Sequence, residues 1–316
     1  MFHYVKTLFR EKIWLIYAIA AALCWGVWGI LAKFISADIS PYLNHLMFTV
    51  GMLFTLPIVI PRCRRKDLHL KGVVWGLLAG ILAITGNVAV YQSFGTGGLA
   101  AVVIPVTNLY PLVTILIAVL VLKERMHWLN GIGILIVIPA IIILSGETQI
   151  FTDPAGFFQE LGLKVWLLFA LVALVFWGLF SAAQKVTTNH ISAEWSYITF
   201  ILSSVLISLG FLAAGLIESG FSGNTFAIGS IAGMLNGLGV LAAFSAYRNE
   251  GKASLVTTIA GALQPVFTIF LAILFLGERL TLVELSGISL AILASLFLSV
   301  EKKDHIVDIV QTSKAA

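Results

Sequence analysis

The chain has 316 residues, of which 59% are hydrophobic and only 11% are charged, and its formal net charge at pH 7 is +4. Its mean hydropathy is +1.02, whereas a soluble domain carries roughly 25% charged residues, so a water-soluble globular protein is excluded. The two cysteines do not suggest a disulfide framework. The sequence contains no metal-ligand spacing, phosphate loop or nucleophile elbow, so we predict no metal, no cofactor and no catalytic residue.

Ten apolar runs follow one another along the chain, each about as long as the 20 residues that a membrane-spanning helix needs. The predicted spans are 13–35, 41–61, 71–93, 99–122, 127–145, 164–186, 193–217, 226–247, 253–276 and 281–300. We therefore predict an all-α integral membrane protein with ten transmembrane helices. Its predicted parts are a first five-helix unit at 1–147, an extracytoplasmic connecting loop at 148–163, a second five-helix unit at 164–302 and a cytoplasmic tail at 303–316.

The nineteen Lys and Arg residues are distributed unevenly across the predicted membrane. If the N-terminus is cytoplasmic, sixteen of them lie on the cytoplasmic side, and the other side holds Lys33, Lys164 and Arg279. Basic residues in short loops stay in the cytoplasm, so both termini are predicted to face it, in a bacterial inner (plasma) membrane. The RCRRK run at 62–66 is then a topology signal, and we predict no nucleic-acid partner.

The second half of the sequence repeats the first. The segment LYPLVTILIAVLVLKER, beginning at Leu109, aligns with LQPVFTIFLAILFLGER, beginning at Leu263, and nine of the seventeen positions are identical. A second alignment pairs Trp25 with Trp177, Gly26 with Gly178 and Lys33 with Lys185. Because each copy has five spans, an odd number, the second copy is predicted to be an inverted repeat. Transporters of this kind bind substrate near the midplane between the repeats.

Together these features resemble the drug/metabolite transporter superfamily, EamA type. The resemblance rests on ten spans in two five-helix halves, on CWGVWGILAK in the first helix, and on the P…T…A…L…ER pattern that closes the fourth and ninth. It covers essentially the whole chain and specifies the superfamily better than the substrate. It implies a carrier of amino acids, other metabolites or drugs, often outward, through a central cavity between the halves.

Several aromatic and polar side chains fall deep within the predicted spans. Trp25 shares a helix face with Lys33, and Trp177 shares one with Ser181 and Lys185, because positions i, i+4 and i+8 lie close together. The tryptophans are too deep for an interfacial belt, which leaves a cavity wall or ordinary helix packing. The candidate substrate-binding residues are Trp25, Trp28, Asn87, Tyr91, Thr107, Tyr110, Trp177, Ser181, Asn236 and Gln264.

Two prolines sit beside candidate residues in the fourth and ninth spans. Pro111 follows Tyr110 and Pro265 follows Gln264. Each proline lacks an N–H and frees a backbone carbonyl one turn earlier. The sequence therefore predicts kinked helices in which Tyr110 and Gln264 lie next to a bare carbonyl.

The charged residues near the span ends have two interpretations. Lys33 and Lys185 either snorkel to the headgroups or act as gating residues that attract an anionic group. The pairs Glu124–Arg125 and Glu278–Arg279 are predicted to be caps and interfacial anchors. Asn44 and His45 are predicted to lie near the outer interface, where solvent satisfies them.

No acidic residue falls near the middle of a predicted span, so a buried carboxylate that exchanges protons for an organic cation is not expected. The leading prediction is a secondary transporter for a small polar or zwitterionic metabolite, with amino acids the first class to test. An organic-anion or phosphate-ester exchanger is the alternative, with Lys33 and Lys185 as charge partners. A membrane-embedded enzyme or scaffold is disfavoured because no deep catalytic pair exists. The expected partners are a small-molecule substrate and the lipid bilayer, and the sequence leaves open whether the chain is a monomer or a homodimer.

Overall fold

The computed structural model describes residues 13–120, 127–145, 164–249, 253–298 and 300. In chain order its helices are α1 Ile13–Ile35, α2 Pro41–Leu53, α3 Leu56–Val59, α4 Leu70–Gly95, α5 Ala100–Thr107, α6 Pro111–Leu120, α7 Trp128–Ser145, α8 Val165–His190, α9 Ala193–Ala213, α10 Gly223–Arg248, α11 Ala253–Leu271 and α12 Leu282–Leu298. The predicted connecting loop, the tail and the Glu124–Arg125 pair lie outside the described residues.

The described helices account for the ten predicted spans. Eight helical stretches are long and apolar enough to cross a membrane, and two shorter apolar helices, Trp128–Leu144 and Leu282–Leu298, provide the fifth and tenth spans. Helix α2 continues through α3 into a 3₁₀ turn that ends at Arg62, so these elements together form the second span. The protein is therefore an all-α integral membrane protein, as the sequence predicts.

The fourth span is broken, whereas its repeat mate is continuous. Helix α5 ends at Thr107 and α6 begins at Pro111, but α11 runs through Pro265 to Leu271. The side chains of Thr107 and Asn108 both donate to the carbonyl of Ile104, at 3.0 and 2.9 Å. An N–H at position 111 would bond the carbonyl of Thr107, which instead accepts from the backbone N–H of Tyr110 at 3.1 Å. The predicted kink at Pro111 is therefore a full break.

The two halves pack through a pseudo-two-fold arrangement. Helix α1 packs along α10 and α11 of the second half, and its repeat mate α8 packs along α4 and against α5 and α6 of the first half. Likewise α2 packs on α10, as α9 packs on α4, while α7 and α12 pack against each other. The interface between the two halves therefore runs through the middle of the protein. Each helix contact that the first half makes across it has a counterpart made by the matching helices of the second half.

Glycines let the helices of opposite halves approach closely. A Cβ atom at Gly80 of α4 would lie 2.6 Å from the Cβ of Ser203 on α9. At the corresponding place in the other half, a Cβ atom at Gly233 of α10 would overlap the backbone of Phe48 on α2. Small residues at these crossings bring the backbones into direct contact, which is how membrane helices gain packing energy without a hydrophobic driving force.

The bundle has two ends, which we name after one residue each. At the Arg248 end, α10 finishes beside the end of α8, and Arg248 donates to the carbonyl of Thr188. At the Glu278 end, α1 and α4 finish together, and Lys33 donates to the carbonyl of Phe94. The 62–66 basic run lies at the Arg248 end, because Trp195 at the start of α9 donates to the carbonyl of Arg64.

Candidate functional site

Two tryptophans cross between the halves at corresponding positions. Trp25 of α1 lies against Gly239 of α10, and Trp177 of α8 lies against Gly86 of α4. A Cβ atom on either glycine would lie 2.6 Å from the indole nitrogen of the tryptophan. Only glycine leaves room for these rings, so each tryptophan is seated by a glycine of the opposite half.

The glycines next to these tryptophans make a second matched pair of contacts. A Cβ atom at Gly26 would lie 2.7 Å from the Cβ of Phe267, and one at Gly178 would lie 2.5 Å from the Cβ of Val113. Val113 and Phe267 hold the same place in the aligned segments that begin at Leu109 and Leu263. The glycine beside each bulky ring therefore provides the close helix crossing that brings the ring to the interface between the halves.

A cavity lies between the two halves and contains about 620 Å³ of space unoccupied by protein atoms, including its open mouth. Its wall is aromatic and amide-rich, and is completed by small apolar side chains. The aromatic and polar residues that line it are Trp25, Trp28, Asn87, Tyr110, Trp177, Phe180, Ser181, Gln184, Phe200, Asn236, Tyr247 and Gln264.

The cavity extends from the middle of the bundle toward the Arg248 end. Gln184 lies in the last two turns of α8, Tyr247 directly precedes the final residue of α10, and Val256 lies in the first turn of α11; all three line the cavity. On α1 and α4 the lining reaches only to Trp28 and Asn87, about two turns before each helix ends at the other side. The cavity is therefore asymmetric along the membrane normal.

Three aromatic rings close the cavity toward the Glu278 end. The ring of Trp28 lies 6.1 Å from that of Tyr91 and 6.0 Å from that of Trp177, measured between centroids, in edge-on and tilted arrangements that aromatic pairs favour. Trp28 Nε1 also donates to the hydroxyl of Tyr91 at 3.2 Å. Trp28 and Tyr91 are each only 1% exposed, so this layer is closely packed.

A second closure lies beyond the rings, at the Glu278 end itself. The carboxylate of Glu278, which follows α11, accepts from the backbone N–H groups of Ala100 and Ala101 at 2.8 and 2.9 Å. These are the first residues of α5, so the carboxylate satisfies unpaired donors at a helix N-terminus. Lys33 lies near enough for its charge to interact with that of Glu278. The predicted capping role of Glu278 is thus directed at a helix of the opposite half.

The part of the cavity wall that the structure describes carries no formal charge. Among the described residues, no Asp, Glu, Lys or Arg side chain lines it. The indole N–H of Trp177 donates to Oδ1 of Asn87 at 3.1 Å, and because indole nitrogen can only donate, this bond fixes which end of the amide faces the ring. Trp25 donates to the backbone carbonyl of Asn236 at 3.3 Å. Both tryptophans are thus held in position by the opposite half.

Eight of the ten candidate binding residues predicted from the sequence line the cavity, and two do not. Tyr91 is buried behind Trp28, where its hydroxyl accepts the indole proton. Thr107 is 0% exposed and its hydroxyl donates to the carbonyl of Ile104. The prediction that these two side chains face the cavity is therefore corrected: Tyr91 supports the wall from behind, and Thr107 bonds its own helix just before the break at Pro111.

The two candidate charge partners lie outside the cavity lining. Lys33 is partly buried, with its ammonium bonded to the carbonyl of Phe94 and 5.8 Å from the centroid of that residue's ring. Lys185 is exposed at the Arg248 end, although its neighbour Gln184 faces the cavity. The repeat mates therefore occupy different environments.

The prediction that solvent satisfies Asn44 and His45 is wrong, because their exposed fractions are 1% and 0%. Asn44 donates to the hydroxyl of Ser36 at 3.0 Å, and His45 Nε2 lies 3.3 Å from the carbonyl of Ser204 on α9. Thr49, one turn further along α2, bonds the hydroxyl of Ser204 as well. Close packing of α2 against α9 buries this polar cluster, and the sequence alone does not identify the partner helix.

Sequence reasoning also missed lining residues. Gln184 lies near the end of its predicted span, next to the charged Lys185, rather than deep within it. Phe180 carries no polar group that separates it from ordinary apolar helix residues, and Tyr247 is the last residue of its predicted span. The signal available for Gln184 was its place three residues after Ser181, which puts both on one face of α8.

The chain matches a known family of membrane transporters over both of its halves. The sequence profile of the EamA-like transporter family matches residues 12–146 and again residues 164–300. The chain therefore belongs to the EamA-like transporter family, with one family unit in each half.

Individual relatives are distant. A protein of Clostridium kluyveri described as an uncharacterized transporter is 24% identical over 280 residues, which cover 85% of this chain and 87% of that one. An uncharacterized protein of Methanocaldococcus jannaschii is 25% identical over 132 residues, which are 42% of this chain and 95% of its own length. A solved crystal structure superposes with a TM-score of 0.62 at 17% identity, covering 90% of this chain and 96% of the other, and shows the fold alone.

Proposed function

We propose that this protein is a secondary transporter that moves a small zwitterionic or neutral polar metabolite by alternating access, with amino acids as the first class. The observation that carries the proposal is the position of the cavity, which lies between two inverted halves and is lined by both. Inverted-repeat transporters bind substrate at this interface. Aromatic faces can hold an ammonium group, and amide side chains can hydrogen-bond polar groups.

The neutral wall favours this class over an organic-anion or phosphate-ester exchanger. A doubly charged phosphate ester in a low-dielectric cavity requires cationic partners, because burying an unpaired charge costs far more than burying a dipole. Lys33 and Lys185 are the residues that this alternative needs, and neither lines the cavity. We therefore place the anion exchanger second.

We further propose that the Arg248 end faces the cytoplasm and that both termini lie there. The sixteen-to-three distribution of Lys and Arg supports this orientation. In that orientation the cavity opens toward the cytoplasm. The packed rings of Trp28, Tyr91 and Trp177, and beyond them the bonds between Glu278 and the start of α5, close it on the outer side. Reporter fusions test it: a C-terminal reporter should be active only in the cytoplasm, and one inserted in the 146–163 segment only outside it.

Counterflow in proteoliposomes tests the transport proposal. Vesicles preloaded with an unlabelled L-amino acid should accumulate the same labelled amino acid for at least one of the twenty, and inorganic phosphate should give none. The Trp25→Ala variant should weaken apparent affinity, because it removes a cavity wall, whereas Trp128→Ala should not, because Trp128 is 69% exposed on α7. Accumulation of phosphate instead of amino acids would favour the exchanger.

A further inference from the structure

One polar side chain in the cavity lacks a partner. Gln184 is 3% exposed and lines the cavity, and its amide nitrogen has no acceptor within the described part of the chain. Buried amide donors are nearly always paired, since leaving one unpaired costs free energy. The next two buried polar side chains of the same helix are paired in this way, because the hydroxyls of Thr187 and Thr188 donate to backbone carbonyls one turn earlier. Gln184 is an exception that faces the cavity.

Two further polar side chains with donors line the same cavity. Ser181 lies three residues earlier on the same face of α8, and its hydroxyl makes no hydrogen bond among the described residues. Asn87, on α4 opposite, has its Oδ1 committed to the indole of Trp177. Its Nδ2 group makes no hydrogen bond to another described residue, so it can donate to a ligand. Gln184, Ser181 and Asn87 thus present donors and form what we call the donor group.

We infer that the donor group binds the carboxylate of the substrate and makes Gln184 a specificity-determining residue; this inference rests on the proposed function. Carboxylates accept hydrogen bonds that are shorter and stronger than those of neutral acceptors. A phosphate is a poorer match, because its second charge would have no cation among the described lining residues. The carboxylate of an amino acid carries its own counter-charge, and the nearby rings of Trp25, Trp28 and Trp177 offer faces for the ammonium.

The test compares amino acids with their amino alcohols, in which a hydroxymethyl group replaces the carboxylate. L-leucine, L-serine and L-phenylalanine are each paired with the matching alcohol, and binding to the purified full-length protein is followed by its tryptophan fluorescence. The variants are Gln184→Leu, which removes the donor at similar volume, and Gln184→Glu, which puts an anion in its place. The matched control is Gln92→Leu, on α4 outside the cavity lining.

The expected result is that wild-type protein prefers at least one amino acid to its alcohol. Gln184→Leu should weaken binding of that acid about tenfold, the loss expected for one hydrogen bond to a charged group, and leave the alcohol unchanged. Gln184→Glu should weaken the acid further, and Gln92→Leu should match wild type. Two results overturn the inference but leave the proposed function standing. One is an equal loss of affinity for acid and alcohol in Gln184→Leu, and the other is equal wild-type affinities for each acid and its alcohol. If none of the six compounds binds to well-folded wild-type protein, the inference fails, and the proposed function fails with it only if counterflow also detects none of the twenty amino acids.

Discussion

Replacing Glu278 by Gln should destabilise the protein by weakening the contact between the second half and α5. Both carboxylate oxygens of Glu278 accept backbone N–H groups of α5, at 2.8 and 2.9 Å, and the side chain is only 9% exposed. Gln keeps one acceptor and turns an N–H group toward the other donor. A hydrogen bond to a charged group contributes roughly 1.5–3 kcal/mol, and the helix N-terminus about 0.3–1 kcal/mol more. We expect a loss of about 2–4 kcal/mol.

Thermal unfolding in detergent, followed by loss of the monodisperse peak in size-exclusion chromatography, measures the effect. Glu284→Gln is the matched control, because Glu284 caps its own helix at the surface by accepting from Thr281 N at 2.7 Å. Thr281 and Glu284 bond each other reciprocally as a capping box, in which Gln serves as well as Glu, so Glu284→Gln should change the stability little. We expect the apparent Tm of Glu278→Gln to fall below that of Glu284→Gln by several degrees. Equal Tm values for the two variants would contradict the reasoning about the buried contact.

Two other predictions follow from the described contacts. Gly86→Ala should lower the apparent Tm, since its methyl group would lie 2.6 Å from Trp177 Nε1 and overpacking costs about 1–3 kcal/mol. Gly131→Ala, with no atom within 4 Å of the added carbon, should leave the Tm unchanged or raise it slightly, because alanine favours a helix over glycine. Lys33→Gln and Lys185→Gln should each retain most of the counterflow activity, because neither lysine lines the cavity, and complete loss in either variant at normal expression would favour the anion exchanger.

The repeat explains why so much of the fold could be predicted from the sequence. Periodicity and length locate the spans, and the aligned glycines and tryptophans recur as matched contacts, such as Gly26 with Phe267 and Gly178 with Val113. The eight candidates that line the cavity were found because deep polar and aromatic residues are uncommon in spans and must be satisfied by something.

The features that could not be predicted depend on which helices pack against each other, and the sequence does not identify those partners. Pro111 and Pro265 are aligned, yet only Pro111 separates two helices. Thr107, the last residue of α5, donates its hydroxyl to the carbonyl of Ile104, whereas its counterpart Gly261 has no side chain. The sequence places His45 near the outer interface, where solvent is expected to satisfy it, but α9 covers it. Such differences arise from tertiary packing, which single-helix patterns do not record.

The most direct test of alternating access is the reactivity of one cavity position from each side of the membrane. The measurement uses Ser181→Cys in a protein whose two free cysteines, Cys24 and Cys63, are replaced by alanine. A membrane-impermeant cationic thiosulfonate is added to proteoliposomes of each orientation. We predict modification from both sides, slowed from both by the transported substrate. Modification from one side only, or none from either side, would contradict a substrate cavity that opens alternately between the two halves.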